Sequence, residues 1–206
     1  MQAADPSLPT CSVITPTWQR HDLLLRRCIP SVAAQDYPAV EHVVVSDGPD
    51  PELAALLAGT GVTYAELAAH DVQRHWGAAA RAAGIAASPG ALVAYVDDDD
   101  ALRPQHVSLL AAALEAAPDA GFAVSRMVSH QPSGPVVIGW SALGYGQVGT
   151  PMVMHRREIL GTATWGAPSA CEDWDLVAAW IGAGIRHVRV DAETCDAWPS
   201  AFGSVL

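Results

Sequence analysis

The 206-residue chain contains no lysine and no asparagine. Without lysine there is no amine to form a Schiff base, no P-loop lysine to hold nucleotide phosphates and no lysine-dependent phosphatase. Without asparagine there is no N-glycosylation site. Basic charge is scarce altogether: 11 arginines face 22 acidic residues, for a net charge of -11. No nucleic-acid partner is expected, because duplex binding rests on Lys and Arg neutralising phosphates. No apolar run approaches the ~18 residues that would span a bilayer. Met1–Thr10 has neither the basic region nor the apolar stretch of a signal peptide. The expected location is therefore the cytoplasm, with peripheral contact at a membrane left open. Cysteine is sparse too. Cys11, Cys28, Cys171 and Cys195 form no CxxC pair, so four separate reduced thiols are expected. The histidines make no HxxxH or Cys/His set, so zinc is not expected.

What is present reads as a globular α/β chain: 50% of residues are hydrophobic and 16% charged. The length suits one domain over 1–206. Cys11-Ser12-Val13-Ile14-Thr15 is a buried-strand candidate that ends at Pro16-Thr17. Apolar spacing from Arg20 to Ala34 predicts a helix, with Pro30 as a place to kink or split it. His42 to Val45 predicts a second strand, stopped by Ser46-Asp47-Gly48-Pro49. Pro51 opens a helix to about Leu57. Val62 to Leu67 predicts a third strand, Trp76 to Ala87 a helix, Leu92 to Val96 a fourth strand and Pro104 to Ala117 a helix. This alternation is the pattern of a parallel sheet with crossover helices. The second half differs. Phe122 to Ser129 and Val136 to Trp140 predict a hairpin, Pro151 to His155 a strand, Glu172 to Gly182 a helix and His187 to Val190 a last strand.

The chemistry concentrates at strand ends. Asp97-Asp98-Asp99-Asp100 follows the apolar Leu92–Val96 run, where open α/β sheets bind ligands. Four adjacent negative charges call for compensation, and carboxylate oxygens suit hard cations such as Mg²⁺ or Mn²⁺. In an extended segment Asp97 and Asp99 would point one way and Asp98 and Asp100 the other. A solvated turn capping the next helix is the plainer alternative. Glu172-Asp173 is a second pair. Ser169 before it makes a capping box that gives Glu172 a structural task. Asp173 is then an ionised carboxylate at a helix N-terminus, suited to act as a general base. Asp47 is either a turn former or a ligand for a nucleobase edge. Arg81, inside an alanine-rich helix, is either a surface group or a partner for phosphate or the aspartates. Gly144 to Gly149 matches GxGxxG but leads into a strand, and reads as a loop. The tryptophans Trp140, Trp165, Trp174 and Trp198 read as core before they read as sugar platforms.

Five segments together resemble glycosyltransferase family 2, which has the GT-A fold. They are Ser12 to Arg20 as opening strand and nucleotide loop, Val43 to Gly48 as second strand, and Gly77 to Ala86 as arginine-bearing helix. Tyr95 to Asp100 resembles the DxD segment, and Cys171 to Leu176 the acidic base motif. The resemblance implies a Rossmann-like three-layer sandwich with a mostly parallel central sheet and a smaller antiparallel second half. Residues 11–117 would bind the nucleotide sugar, and 118–195 would supply acceptor and catalytic groups. Thr15, Pro16, Thr17, Arg20, Asp47, Gly48, Arg81, Asp97 and Asp98 would hold the donor, Asp99 a Mn²⁺ or Mg²⁺ ion, and Asp173 with Glu172 the catalytic centre. The implied reaction moves a sugar from a nucleoside diphosphate sugar to an acceptor hydroxyl with inversion. The acceptor could be a saccharide, a lipid-linked molecule or a natural product. A sugar-nucleotide nucleotidyltransferase and a catalytically inactive glycosyltransferase-like module that binds a partner or sugar are the alternatives.

Overall fold

In the computed structural model, residues 8–70, 77–139, 142–166 and 172–199 are described. In chain order the strands begin with β1 (Cys11–Thr17), β2 (Val40–Ser46), β3 (Thr63–Glu66) and β4 (Leu92–Tyr95). They continue with β5 (Ala101–Leu102), β6 (Ala120–Gln131), β7 (Gly134–Ile138), β8 (Val153–Arg156) and β9 (Arg186–Ala197). All seven residues of β1 are buried, as a strand covered on both faces must be. It pairs in parallel with β2 and β4, so that Ile14 lies between Val43 and Tyr95. The full order is β3-β2-β1-β4-β8-β6-β9-β5, with β7 hairpinned onto β6. Parallel pairs run from β3 to β4 and between β6 and β9, and they hold most of the paired positions. The antiparallel β8 joins the two parallel stretches.

Helices cover both faces of this sheet. Residues 21–33 form one helical stretch: α-helical at His21–Leu23, a wider π turn at Leu24–Cys28, and α-helical again at Ile29–Ala33. The proline ring crowds the carbonyl four residues back. For Pro30 that carbonyl belongs to Arg26, inside the π turn, so the widened turn takes up the expected kink. Cys28 of this helix meets Thr15 of β1, Sγ to Oγ1 at 3.4 Å. The helix Ala78–Ala87 meets the neighbouring residue instead: a Cβ on Gly84 would lie 2.5 Å from Ile14 Cγ2. Successive strand residues point to opposite faces. The two helices therefore flank β1 as the outer layers of a three-layer α/β sandwich.

Two strand expectations need correction, and one short strand was not expected. The last strand runs twelve residues rather than four, because it pairs along β6 at its start and along both β6 and β5 at its end. β5 follows the aspartates directly and is only two residues long, too short to show periodicity. Pro151 and Met152, expected to begin a strand, belong to a 3-10 turn at Thr150–Met152 ahead of β8, which fits proline at its second position. Cys11, Cys28 and Cys195 are buried free thiols, and Cys171 lies outside the described residues. Among the described residues no helix is long and apolar enough to cross a membrane.

The parallel strands β1, β2 and β4 end along one edge at Thr17, Ser46 and Tyr95. Their following residues therefore meet there. The close approach of Gly84 to Ile14 sets how near the helix Ala78–Ala87 can stand. Gly84→Ala should destabilise the protein although alanine is the better helix former. The helix gain is about 1 kcal/mol, whereas overpacking against stiff β-branched Ile14 and Val45 costs about 1–3 kcal/mol. Urea unfolding measures the balance, and a variant as stable as the parent would show that the helix can shift outward at little cost.

Candidate functional site

At the end of β4 the chain does not stay extended. Asp100 N–H donates to the Asp97 carbonyl at 3.0 Å, so the four aspartates form a tight turn. That turn overrides the expected two-by-two alternation of their side chains. Asp98 and Asp99 instead share one cation. Arg20 approaches Asp98 Oδ1 and Asp99 Oδ2, each at 2.5 Å, and its Nε donates to Asp98 Oδ2 at 3.1 Å. Thr17 Oγ1 also donates to Asp98 Oδ2, at 2.6 Å. Asp98 is fully buried. Its carboxylate thus positions Thr17 and Arg20 and has no surface left for a nucleotide. Asp97, with 29% of its side chain exposed, is the most open of the three ion-paired aspartates.

Arg81 is the junction of the site. Its helix starts at Gly77, whose φ of +83° is left-handed and whose added Cβ would lie 2.9 Å from Pro16 Cβ. Only glycine lets the helix begin this close to the end of β1. One turn later Arg81 is buried, only 2% exposed. Its NH2 donates to Asp97 Oδ1 at 2.6 Å and its NH1 to Glu172 Oε1 at 3.3 Å. The guanidinium lies 4.7 Å from the centroid of the Trp165 ring. Arg81 is therefore no surface arginine, and the partner it finds is the aspartate turn. Through it the strand-end aspartates and the Glu172-Asp173 pair come together. Glu172 and Asp173 open the helix Glu172–Gly182, and Asp173 Oδ1 accepts from Trp174 N–H at 2.6 Å. Ser169, the expected capping partner, lies outside the described residues.

Burial dominates the acid–base character here. It pushes the Glu172 carboxyl up to about 7, against the pull of Arg81. Asp173 is raised by the same cause, partly offset by the Trp174 N–H. Burial likewise raises Asp98 to about 7 despite Arg20 and Thr17. Asp100 is pushed well up by burial and by the charges of Asp97 and Asp99. A raised carboxyl is a carboxylate that would bind a proton or a cation readily.

The β1 and β2 ends form the other wall. Asp47 N–H donates to the Thr17 carbonyl at 2.8 Å. Its side chain meets His70 Nδ1 at 3.0 Å, and His70 stacks on Trp18 with ring centroids 4.2 Å apart. Gly48 lies beneath that stack: an added Cβ would be 2.8 Å from the Trp18 ring. Pro16 and Thr17 are buried at this edge, beside Gly77 and Asp98 respectively. Thr15 is not part of the wall. Its hydroxyl is fully buried against His42 Nε2 at 2.9 Å and against Cys28, because odd positions of β1 face the helix at 21–33. Sequence reasoning missed His70, Arg27 and Trp198. Arg27 donates to the Asp99 carbonyl, and Trp198 N–H to Asp100 Oδ1 at 3.1 Å. Arg27 carried a faint signal as an arginine on a helix bound for the same strand edge. His70 carried none, since loop residues have no period, and Trp198 carried only its aromatic ring.

Residues 12–162 match the profile of glycosyl transferase family 2, well over half of the chain. The chain belongs to that family. Its fold is that of TarS from S. aureus: TarS 1-349 superposes with a TM-score of 0.73 at 19% identity, over 92% of this chain and 60% of that one. The same fragment in complex with UDP-GlcNAc gives 0.74 at 19% identity, over 93% and 59%. The complex with UDP also gives 0.74 at 19% identity, over 93% and 61%. This family 2 chain thus spans about three fifths of the TarS fragment. No curated protein matches the sequence.

The buried Arg81 makes a direct test of the site's architecture. Arg81→Met would leave Asp97 and Glu172 facing each other without their common cation. Removing one partner of a buried ion pair costs about 3–5 kcal/mol. At about 2–4 °C per kcal/mol for a chain this long, the melting temperature should fall by roughly 6–20 °C. A melting temperature within 2 °C or so of the parent would mean that the bridge is not made in solution.

Proposed function

We propose that the protein is an inverting glycosyltransferase of the cytoplasm that moves a sugar from a nucleoside diphosphate sugar to an acceptor hydroxyl. The observation that carries this reading is the Arg81 bridge, Asp97 on one side and Glu172 on the other. It puts the strand-end aspartates and the acidic pair of the helix Glu172–Gly182 within one guanidinium of each other. The TarS structures with UDP and UDP-GlcNAc support a nucleotide-sugar donor.

In this reading Asp47, Gly48 and the Pro16-Thr17 edge seat the base, beside the Trp18–His70 stack. Asp97, the most exposed of the ion-paired aspartates, takes the ribose or base. Arg20 turns to the diphosphate, as guanidinium forks suit phosphate oxygens, and the buried Arg81 holds Asp97 and Glu172 beside it. The turn also fits a divalent cation in donor type. Its ligands are hard oxygens, and six carboxylates (the four aspartates with Glu172 and Asp173) face three guanidiniums (Arg20, Arg27 and Arg81). Among the described residues no preformed set of three protein ligands is present. Asp99 would therefore hold Mn²⁺ or Mg²⁺ together with oxygens of the donor. When bound, such an ion would offset the charge on the departing diphosphate.

The acceptor hydroxyl must lose its proton as it attacks the anomeric carbon from the face opposite the diphosphate. Asp173 takes that proton, a contribution of roughly 10²- to 10⁴-fold. Glu172 holds Arg81 and shapes the field around its neighbour.

Two outcomes test the reading. Asp173→Asn should bind a nucleoside diphosphate as the parent does and lose turnover by at least 100-fold or so. Turnover within a few-fold of the parent would remove Asp173 from the role. The second outcome is the pH profile. A carboxyl raised to about 7 is protonated below that pH and ionised above it. If ionisation of Glu172, which holds Arg81, limits the reaction, kcat/KM should climb with pH and level off above about 7. An acidic limb near the ordinary 4.5 of a glutamate would show that Glu172 is charged well before it is needed.

A further inference from the structure

One cluster reaches the aspartate turn from the far end of the chain, and no motif of the site includes it. Trp198 follows β9 directly. Its backbone N–H holds Asp100 Oδ1 at 3.1 Å. Its ring carries two neighbours. The Arg27 guanidinium carbon lies 3.9 Å from the ring centroid. The His130 ring is stacked with it at 4.6 Å, with planes 10° from parallel. Arg27 then donates through NH1 to the carbonyl of Asp99. His130 is fixed in turn, with Nε2 at 2.8 Å from Asp196 Oδ1, and Asp196 takes a two-pronged contact from Arg103 at 2.8 and 3.0 Å. Arg103 follows β5, the strand that leaves the aspartate turn and pairs with Cys195 and Asp196.

These contacts close a loop. The turn is held at Asp99 by Arg27 and at Asp100 by the Trp198 N–H, and its exit strand is held by β9. Arg27 reaches the Asp99 carbonyl across a long flexible side chain, and such a chain loses rotamer freedom when fixed. An indole face under the guanidinium limits that freedom and adds a cation–π attraction.

We propose that Trp198 is a positioning residue of the donor site: its ring holds Arg27 on the Asp99 carbonyl, and the pair fixes the turn that presents Asp97 and Asp99. The assignment of the turn to the donor rests on the proposed glycosyltransferase reading. The latch itself does not.

Two measurements on the full chain separate these. The first is hydrogen–deuterium exchange without ligand, on Trp198→Ala, Trp198→Phe and Arg27→Ala. All three keep the Trp198 or Phe/Ala backbone N–H, so only the ring or the guanidinium changes. Amides of residues 97–102 should exchange at least tenfold faster in Trp198→Ala and Arg27→Ala. Trp198→Phe, which keeps an aromatic face, should stay within threefold of the parent. The strands β1 and β2 should be unchanged in all three. Unaltered exchange at 97–102 in Trp198→Ala overturns the latch, as does an equal rise throughout the sheet. The second is calorimetric titration with UDP and Mn²⁺. Trp198→Ala should weaken binding at least tenfold, and adding it to Arg27→Ala should weaken binding less than twofold further. Full additivity of the two losses overturns action through Arg27. Parent protein that binds neither UDP nor another nucleoside diphosphate, while the exchange result holds, overturns the donor reading and leaves the latch standing.

Discussion

The constraint that organises this molecule is electrostatic: four consecutive carboxylates sit at the end of a fully buried strand and must be shared among a few guanidiniums. Arg20 spans Asp98 and Asp99, and Arg81 spans Asp97 and Glu172. Each spans two carboxylates, which a planar five-donor fork can do while keeping its charge when buried. An ammonium is a point charge and loses its proton more easily when desolvated. A chain with no lysine at all has built its acidic site from arginine alone, and the same bidentate habit recurs at Arg103 and Asp196.

The parallel half of the fold was readable because its signals are local and repeated. Apolar, β-branched runs such as Val43–Val45 and Leu92–Val96 read as buried strands, and Pro51 suits the first turn of a helix. What failed was every feature decided by a partner distant in sequence. β5 exists because Cys195 and Asp196 pair with it, 93 to 95 residues later. The alternation expected for Asp97 to Asp100 failed because one backbone hydrogen bond curls the segment. Thr15 was expected at the donor because Pro16-Thr17 looked like the strand's end, yet β1 continues through Thr17 and leaves Thr15 inside.

The candidate site divides along the same line. Its carboxylates and Arg81 were visible as residue types that a buried edge cannot tolerate unpaired. Which carboxylate meets which arginine was not visible, since spacing in sequence says nothing of a turn's direction. The aromatic contributors were least legible. Trp18 and Trp198 look like any core tryptophan until the first is found stacked on His70 and the second against Arg27.

The Arg81 contact also decides how the two halves of the chain depend on each other. Arg81 belongs to the first half and Glu172 to the second, 91 residues on. A guanidinium that is 2% exposed has given up its water on both sides. One of its arms donates to Asp97 Oδ1 and the other to Glu172 Oε1. Glu172 fills that arm and in exchange is pushed up towards neutrality by the same burial. The helix Glu172–Gly182 is thereby tied to the strand edge through Arg81. The acidic pair meets the aspartate turn at Arg81, so the contacts that bury this arginine also bring together the groups a catalyst would use.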